Sequence, residues 1–215
     1  MAGVEIEYFY SSHSAYAYLG SRKLAETCTR HGCRLIHRPF NLSPVVEQAG
    51  GLSFAGRTQA HVDYFFGREI ERWAAFRGVD VLNHRPTYHD APLHLSSGML
   101  IAADQADEDV DALAHAVLEA HWRDDIDLTD PEALTKAARS VGIDAAPLLD
   151  RAMTDAVQSV FEKNTQDAKD LNLFGSPTYV LNGDPFYGQD HLELLEHALT
   201  RPYPPMTFQN PSVDG

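Results

Sequence analysis

Gly175-Ser176-Pro177-Thr178-Tyr179-Val180-Leu181-Asn182-Gly183-Asp184-Pro185-Phe186-Tyr187 decides the fold. Its β-branched and aromatic residues read as two short strands. The Asn182-Gly183 pair between them is a strong hairpin signal, because both residues tolerate the positive φ of a two-residue turn. Pro177 lacks an N–H and suits the first or edge position of a strand. From Asp190 to Leu199 the pattern becomes an amphipathic helix with Leu192, Leu194, Leu195 and Leu199 apolar. The Pro-rich residues 201–215 read as a loose tail. The C-terminal unit is therefore ββα.

Working outward, residues 3–10 read as a strand and the polar turn Ser11-Ser12-His13-Ser14 enters a helix over 15–31, which Gly32 ends. Residues 33–37 give a second short strand closed by Arg38-Pro39. Strand, helix and strand make a βαβ unit with a parallel pair. Between the two units, residues 43–160 carry helical signals. Residues 58–78 are periodic around Val62, Phe65, Phe66, Ile70, Trp73 and Phe76. Further helices are predicted over 92–104, 109–122, from the cap at Thr129-Asp130-Pro131-Glu132 to Gly142, and over 144–153. The reading is an α/β chain in which 1–42 and 160–200 form the sheet-bearing domain, 43–159 a helical insertion domain, and 201–215 the tail.

The chain has 215 residues, 17 Lys+Arg against 31 Asp+Glu and a net charge of −14, which argues against nucleic acid and anionic membrane as partners. No apolar run approaches the ~18 residues of a membrane span. The first residues lack the basic and apolar regions of a signal peptide. A soluble cytoplasmic protein is expected. Cys28 and Cys33, the only two cysteines, give neither a disulfide framework nor redox or zinc spacing. Eleven histidines include the evenly spaced His84, His89 and His94, but no HExxH occurs, and no metal is expected.

A βαβ unit and a ββα unit joined through Gly-Ser-Pro-Thr resemble a thioredoxin-like fold. Four ordered motifs narrow the resemblance: Ser14-Ala15-Tyr16-Ala17-Tyr18-Leu19, Arg38-Pro39-Phe40, the Trp122-centred segment to Asp127, and Phe174-Gly-Ser-Pro-Thr178 with Tyr187-Gly-Gln-Asp190. Together they are similar to the 2-hydroxychromene-2-carboxylate isomerase family, relatives of kappa-class glutathione transferases and of DsbA-like proteins with a helical insertion. That resemblance implies a thioredoxin-like, DsbA-like fold, a cis Pro177, a homodimer, a small-molecule aromatic substrate and glutathione as cofactor.

It also implies roles. Ser14 stands where a thioredoxin places its attacking cysteine, so the thiolate would belong to glutathione and the hydroxyl would bond it at a helix N-terminus. Taken alone, Ser14 reads equally well as a helix cap. Ser176, Pro177, Tyr187, Gly188, Gln189 and Asp190 would bind glutathione, with Asp190 taking its ammonium; Asp190 alone could also be a cap. Arg38, Tyr88 and His89 would face the second substrate, His89 as a proton donor or acceptor near neutral pH. Where the family carries Lys and Asn, this chain reads Glu47 and Gly51, and His191 replaces an Arg. Glu47 would repel an anion, so Arg57 or Arg38 would compensate. The implied activity is a glutathione-dependent isomerisation. A kappa-like glutathione transferase and a non-catalytic thioredoxin-like binding module are the alternatives.

Overall fold

Strand β1 (Glu5–Tyr10) alternates its faces: Ile6, Tyr8 and Tyr10 are buried in the main core, while Phe9 packs on the other side with Phe40, Val45, Ala168 and Val180. The computed structural model that shows this describes residues 3–213; residues 1, 2, 214 and 215, at the ends of the expected first segment and tail, lie outside the described residues. β1 pairs in parallel with β2 (Arg34–Pro39) and antiparallel with β3 (Thr178–Leu181), which pairs antiparallel with β4 (Asp184–Tyr187). The sheet order is β2-β1-β3-β4. Asn182 and Gly183 take φ of 53° and 84° in the β3–β4 turn, the left-handed pair a tight hairpin requires.

Helix α1 (Ala15–His31) crosses from β1 to β2, capped by Ser14 and ended by Gly32 at φ 64°. α2 (Leu42–Gln48), α3 (Gln59–Asp63), α4 (Glu69–Arg77), α5 (His94–Asp104), α6 (Val110–Asp124), α7 (Pro131–Ser140), α8 (Ala146–Ala152) and α9 (Asp155–Asp170) follow before β3. α10 (Leu192–Thr200) closes the fold after a short 3₁₀ turn at Gln189–His191. The fold is thioredoxin-like: a four-stranded mixed sheet with a large helical insertion between β2 and β3.

Three expectations are corrected. The single helix over 58–78 is broken by a π-helical turn at Tyr64–Arg68. Its aromatic period does not mark core: Phe65, Phe66 and Phe76 are exposed, and only Ile70 and Ala74 of α4 are buried. Second, α9 runs unbroken through the expected boundary at 160 and buries Val157, Phe161, Asn164 and Ala168, a 3.6-residue stripe. Its Asn164 Nδ2 donates to Pro39 O at 3.1 Å, tying the helix to the end of β2. Third, β2 extends two residues beyond its expected end, because Arg38 and Pro39 stay in register with Phe9 and Tyr10.

Two links set where α5 and α6 stand. Tyr10 Oη donates to His37 Nδ1 at 3.0 Å and His37 Nε2 donates to Asp111 Oδ1 at 2.6 Å, joining β1, β2 and the start of α6. Gly98 of α5 lies so close to α8 that a Cβ would sit 2.2 Å from Ala152 O. No helix among the described residues is long and apolar enough to cross a membrane.

α1 and α10 are clamped by Glu196, which accepts from Lys23 Nζ at 2.7 Å and from Arg30 and His31. The Lys23 hydrogen bond, with those of His31 and Arg30, holds its carboxyl down to about 2, well below the ordinary glutamate range. A depressed folded-state pKa gives stability that is fully present above the unfolded value of ~4.3 and is lost as pH falls through ~2. Denaturant titrations should therefore find Glu196→Gln less stable than the parent at pH 6, the gap closing between pH ~4.3 and ~2. A gap independent of pH would refute the clamp.

Candidate active site

The turn between β1 and α1 meets the loop before β3, and each fixes the other. Ser11 N donates to Ser176 Oγ at 2.9 Å, while Ser14 Oγ donates to Ser176 O at 3.2 Å and accepts from Ala17 N at 3.3 Å. The Ser176–Pro177 peptide bond is cis. Below the turn, Ser12 Oγ and Ser96 Oγ of α5 are 2.8 Å apart. From the side, Trp122 Nε1 of α6 donates to His13 O at 2.7 Å. Four elements thus hold a four-residue turn. The N–H groups of Ala15 and Tyr16, first in α1, make no hydrogen bond among the described residues, and both residues line the cavity. Unpaired N–H groups at a helix start carry partial positive charge and favour an anion.

Those residues open on a cleft with two lobes. The inner lobe, about 440 Å³, is bounded by Ser14, Tyr16, Trp122, Ser176, Tyr187 and the exposed aromatics Phe54, Phe65 and Phe66. The outer lobe, about 340 Å³, runs past Asn41, Glu47, Asp90 and His94. His13, Leu42, Val46, Leu52, Phe54, Arg57, Phe66, Arg85 and His89 line both, so the two are continuous. Gly175 lets the Tyr187 ring approach the loop closely, since a Cβ there would meet the ring at 2.9 Å.

The charges in the cleft are few. Arg85 is bound twice to Asp90, at 2.7 and 2.6 Å. Arg57 makes no ion pair with a carboxylate among the described residues and lies 4.8 Å from the centre of the Phe66 ring. Burial, with neighbouring imidazoles and Arg85, pushes the His13 imidazole down to about 3 and His89 down to about 2. His121, which is fully buried, is also lowered by burial. Burial raises the Tyr16 and Tyr187 phenols, and the Asp190 carboxylate nearby adds to both. At neutral pH the site presents the neutral imidazoles of His13 and His89, the phenols of Tyr16 and Tyr187, the Arg57 guanidinium with no carboxylate partner among the described residues, and a helix N-terminus.

The structure brings together Ser14, Ser176, Tyr187 and His89 of the expected residues. Pro177 lies behind Ser176, its carbonyl accepting from Gly188 N at 2.8 Å. Gly188 has a φ of 97°. Asp190 is exposed beside the phenols, 3.6 Å from His191 Nδ1. Gln189 points elsewhere: it is buried against Gly20 of α1, and its Oε1 accepts from Arg77 Nε at 3.1 Å. Arg38 also lies away from the cleft, because its neighbour across the sheet, Glu7, takes the guanidinium at 3.0 Å. Tyr88 is exposed and outside both lobes. Among the described residues no group of three His, Cys, Asp or Glu could hold a metal ion. Residues the motifs missed are His13, Arg85 and His121. A histidine inside the site turn was the available signal for His13; the other two meet it only through tertiary packing.

Residues 5–200 match the family model of the DSBA-like thioredoxin domain. A 2-hydroxychromene-2-carboxylate isomerase of Sphingobium xenophagum is 27% identical over 194 residues, covering 90% of this chain and 97% of that protein. Glutathione S-transferase kappa 1 of Rattus norvegicus is 24% identical over 208 residues, 90% of each chain. A solved structure of a 2-hydroxychromene-2-carboxylate isomerase superposes with a TM-score of 0.76 at 21% identity, covering 92% of this chain and 95% of that one.

Proposed function

The chain belongs to the DSBA-like thioredoxin domain family, and from that premise we propose that it is a glutathione-dependent isomerase of the 2-hydroxychromene-2-carboxylate isomerase type, acting on an aromatic pyruvate or chromene-like substrate. One observation carries the reading. The cap of α1 is a hydroxyl, Ser14, held against the cis Ser176–Pro177 bond and opening on an aromatic-lined cavity, and neither of the chain's cysteines lines that cavity. Disulfide exchange needs a thiolate. A serine there cannot supply one, but its single O–H can turn from Ser176 O, 3.2 Å away, to donate to one.

The residues present fit glutathione. The unpaired N–H groups of Ala15 and Tyr16 and the Ser14 hydroxyl suit a thiolate. Ser176 N also lacks an acceptor among the described residues and suits a peptide carbonyl. The exposed Asp190 carboxylate has no Lys or Arg partner among the described residues and suits an ammonium. When bound, glutathione would supply the nucleophilic sulfur that the chain lacks. Ser14 and the start of α1 would favour its ionised form, as a helix N-terminus and a hydrogen bond both lower a thiol pKa. Phe54, Phe65, Phe66 and Trp122 would hold an aromatic ring and exclude water, and Arg57 would take the acid group of the substrate. In a protein of charge −14, that guanidinium, unpaired among the described residues, would compensate for Glu47 in the outer lobe. A homodimer and a cytoplasmic setting belong to the same proposal, as does the start of the helical insertion at 42/43.

Two measurements test it. Glutathione at about 100 times its Kd should stabilise the fold by ~2.7 kcal/mol, several degrees in melting temperature for a chain of this size. No shift at all favours the non-catalytic binding module. Mass analysis of the product should find an isomer of the substrate without sulfur. A retained glutathione adduct would instead identify the kappa-like transferase.

A further inference from the structure

His89 sits on the segment between α4 and α5, and that segment is pinned to the end of α6. Leu82 N donates to Trp122 O at 2.8 Å, and Thr87 donates through both N and Oγ1 to Asp125. Two buried contacts then determine where the protons of the imidazoles lie. His121 Nδ1 is 3.1 Å from the carbonyl oxygen of Ile126, which can only accept, so Nδ1 carries hydrogen. In a neutral ring His121 Nε2 is therefore bare. His89 Nδ1 lies 3.1 Å from that Nε2 and must be the donor. His89 Nε2 is left without a hydrogen and makes no hydrogen bond among the described residues, in a side chain that lines both lobes of the cleft.

We infer that His89 is a fixed hydrogen-bond acceptor in the cleft, held in one tautomer by His121, and that it selects a second ligand bearing a hydroxyl. This rests on the cleft being the substrate site proposed above. His89 reads the ligand's O–H without taking its proton. His121 is a positioning residue: it touches no ligand, and acts by deciding which nitrogen of His89 is bare. The Ile126 carbonyl makes the decision one-directional. The rings of Phe54, Phe65, Phe66 and Trp122 around the same space suit a hydroxyaryl ligand.

The groups facing His89 are His13 of the site turn, its ring centre 4.5 Å away, His121 of α6, and Arg85 and Asp90 of its own segment. Burial and the three cationic or imidazole neighbours outweigh Asp90 and hold the ring neutral, so selection should not vary between pH 5.5 and 8. That replaces the expectation of a proton-transferring histidine near neutral pH.

The test uses the full chain with phenol and anisole as probes. Phenol is expected to bind about tenfold more tightly than anisole, the size of one hydrogen bond to an otherwise unpaired acceptor. In His89→Phe the ratio should fall to about one. Nitrogen-15 NMR of the histidine rings at pH 7 should find His89 and His121 both protonated at Nδ1, and His121→Leu should move His89 toward the Nε2–H tautomer. Protonation of His89 at Nε2 in the parent protein, or equal binding of phenol and anisole, overturns the inference. A glutathione stability shift with equal probe binding rejects His89 selection alone. A phenol preference without a glutathione shift supports His89 selection and rejects the glutathione reading.

Discussion

Ser14→Ala is expected to lower glutathione-dependent turnover by about 10²- to 10³-fold, the usual loss when one donor to a developing or bound anion is removed. Its structural cost is smaller. Ser14 Oγ caps α1 through Ala17 N at 3.3 Å, and losing an N-cap costs ~1 kcal/mol, or ~2–4 °C in melting temperature at this chain length. The substitution also removes the bond to Ser176 O, so a second variant must separate capping from chemistry. Ser14→Asp keeps a capping oxygen, since aspartate caps as well as serine. Its carboxylate has no proton to donate at neutral pH and would repel a neighbouring thiolate. Thermal unfolding should show the helix start restored while turnover stays low. Full activity in Ser14→Asp, or less than a twofold loss in Ser14→Ala, would reduce Ser14 to a cap and remove the basis for the glutathione reading.

What was legible in the sequence was local. Gly32 and the Asn182-Gly183 turn need left-handed backbone, and the signals that mark them act within four residues. The ββα end and the Ser14 cap were visible for the same reason. The aromatic period of α3 and α4 misled because a hydrophobic stripe says only that a face is apolar. Here Phe65 and Phe66, in the π-helical turn between α3 and α4, border a cavity instead of filling a core. Gln189 and Arg38 were misplaced by partners far away in sequence or across a strand: Arg77 is 112 residues from Gln189, and Glu7 is 31 from Arg38. His121 shows the limit most sharply. Alone it is one polar residue on the inner face of α6, and it becomes informative only when the fold sets His89 and the Ile126 carbonyl on its two nitrogens.

Gly98→Ala is expected to destabilise the protein by ~3 kcal/mol or slightly more, at the upper end for overpacking a close contact. That corresponds to a fall of roughly 6–12 °C in melting temperature. The added Cβ would lie 2.2 Å from Ala152 O and 2.9 Å from both Ala152 C and Gln158 Nε2. A backbone carbonyl at a helix end cannot rotate aside as a side chain would, so α5 and α8 must separate. Ala152 O already accepts from Gln158 Nε2 at 2.7 Å, and the same amide donates to His94 O at 3.1 Å, so the shift would loosen α9 and the start of α5 as well. Gly67 is the control within the same chain. It lies in the π-helical turn with nothing within 4 Å of a Cβ and no positive φ, so Gly67→Ala should be neutral or stabilising by ~0.5–1 kcal/mol, as glycine carries an entropic penalty in a helix. The effect should also reach the active site. α5 supports the β1–α1 turn through Ser96 and Ser97, whose Oγ atoms lie 2.8 and 3.3 Å from Ser12 Oγ, two residues from Ser14. At temperatures where Gly98→Ala is still folded, its turnover should therefore fall, while that of Gly67→Ala stays at the parent level. Equal melting temperatures for the two variants would show that α5 and α8 are not packed as closely as Gly98 requires.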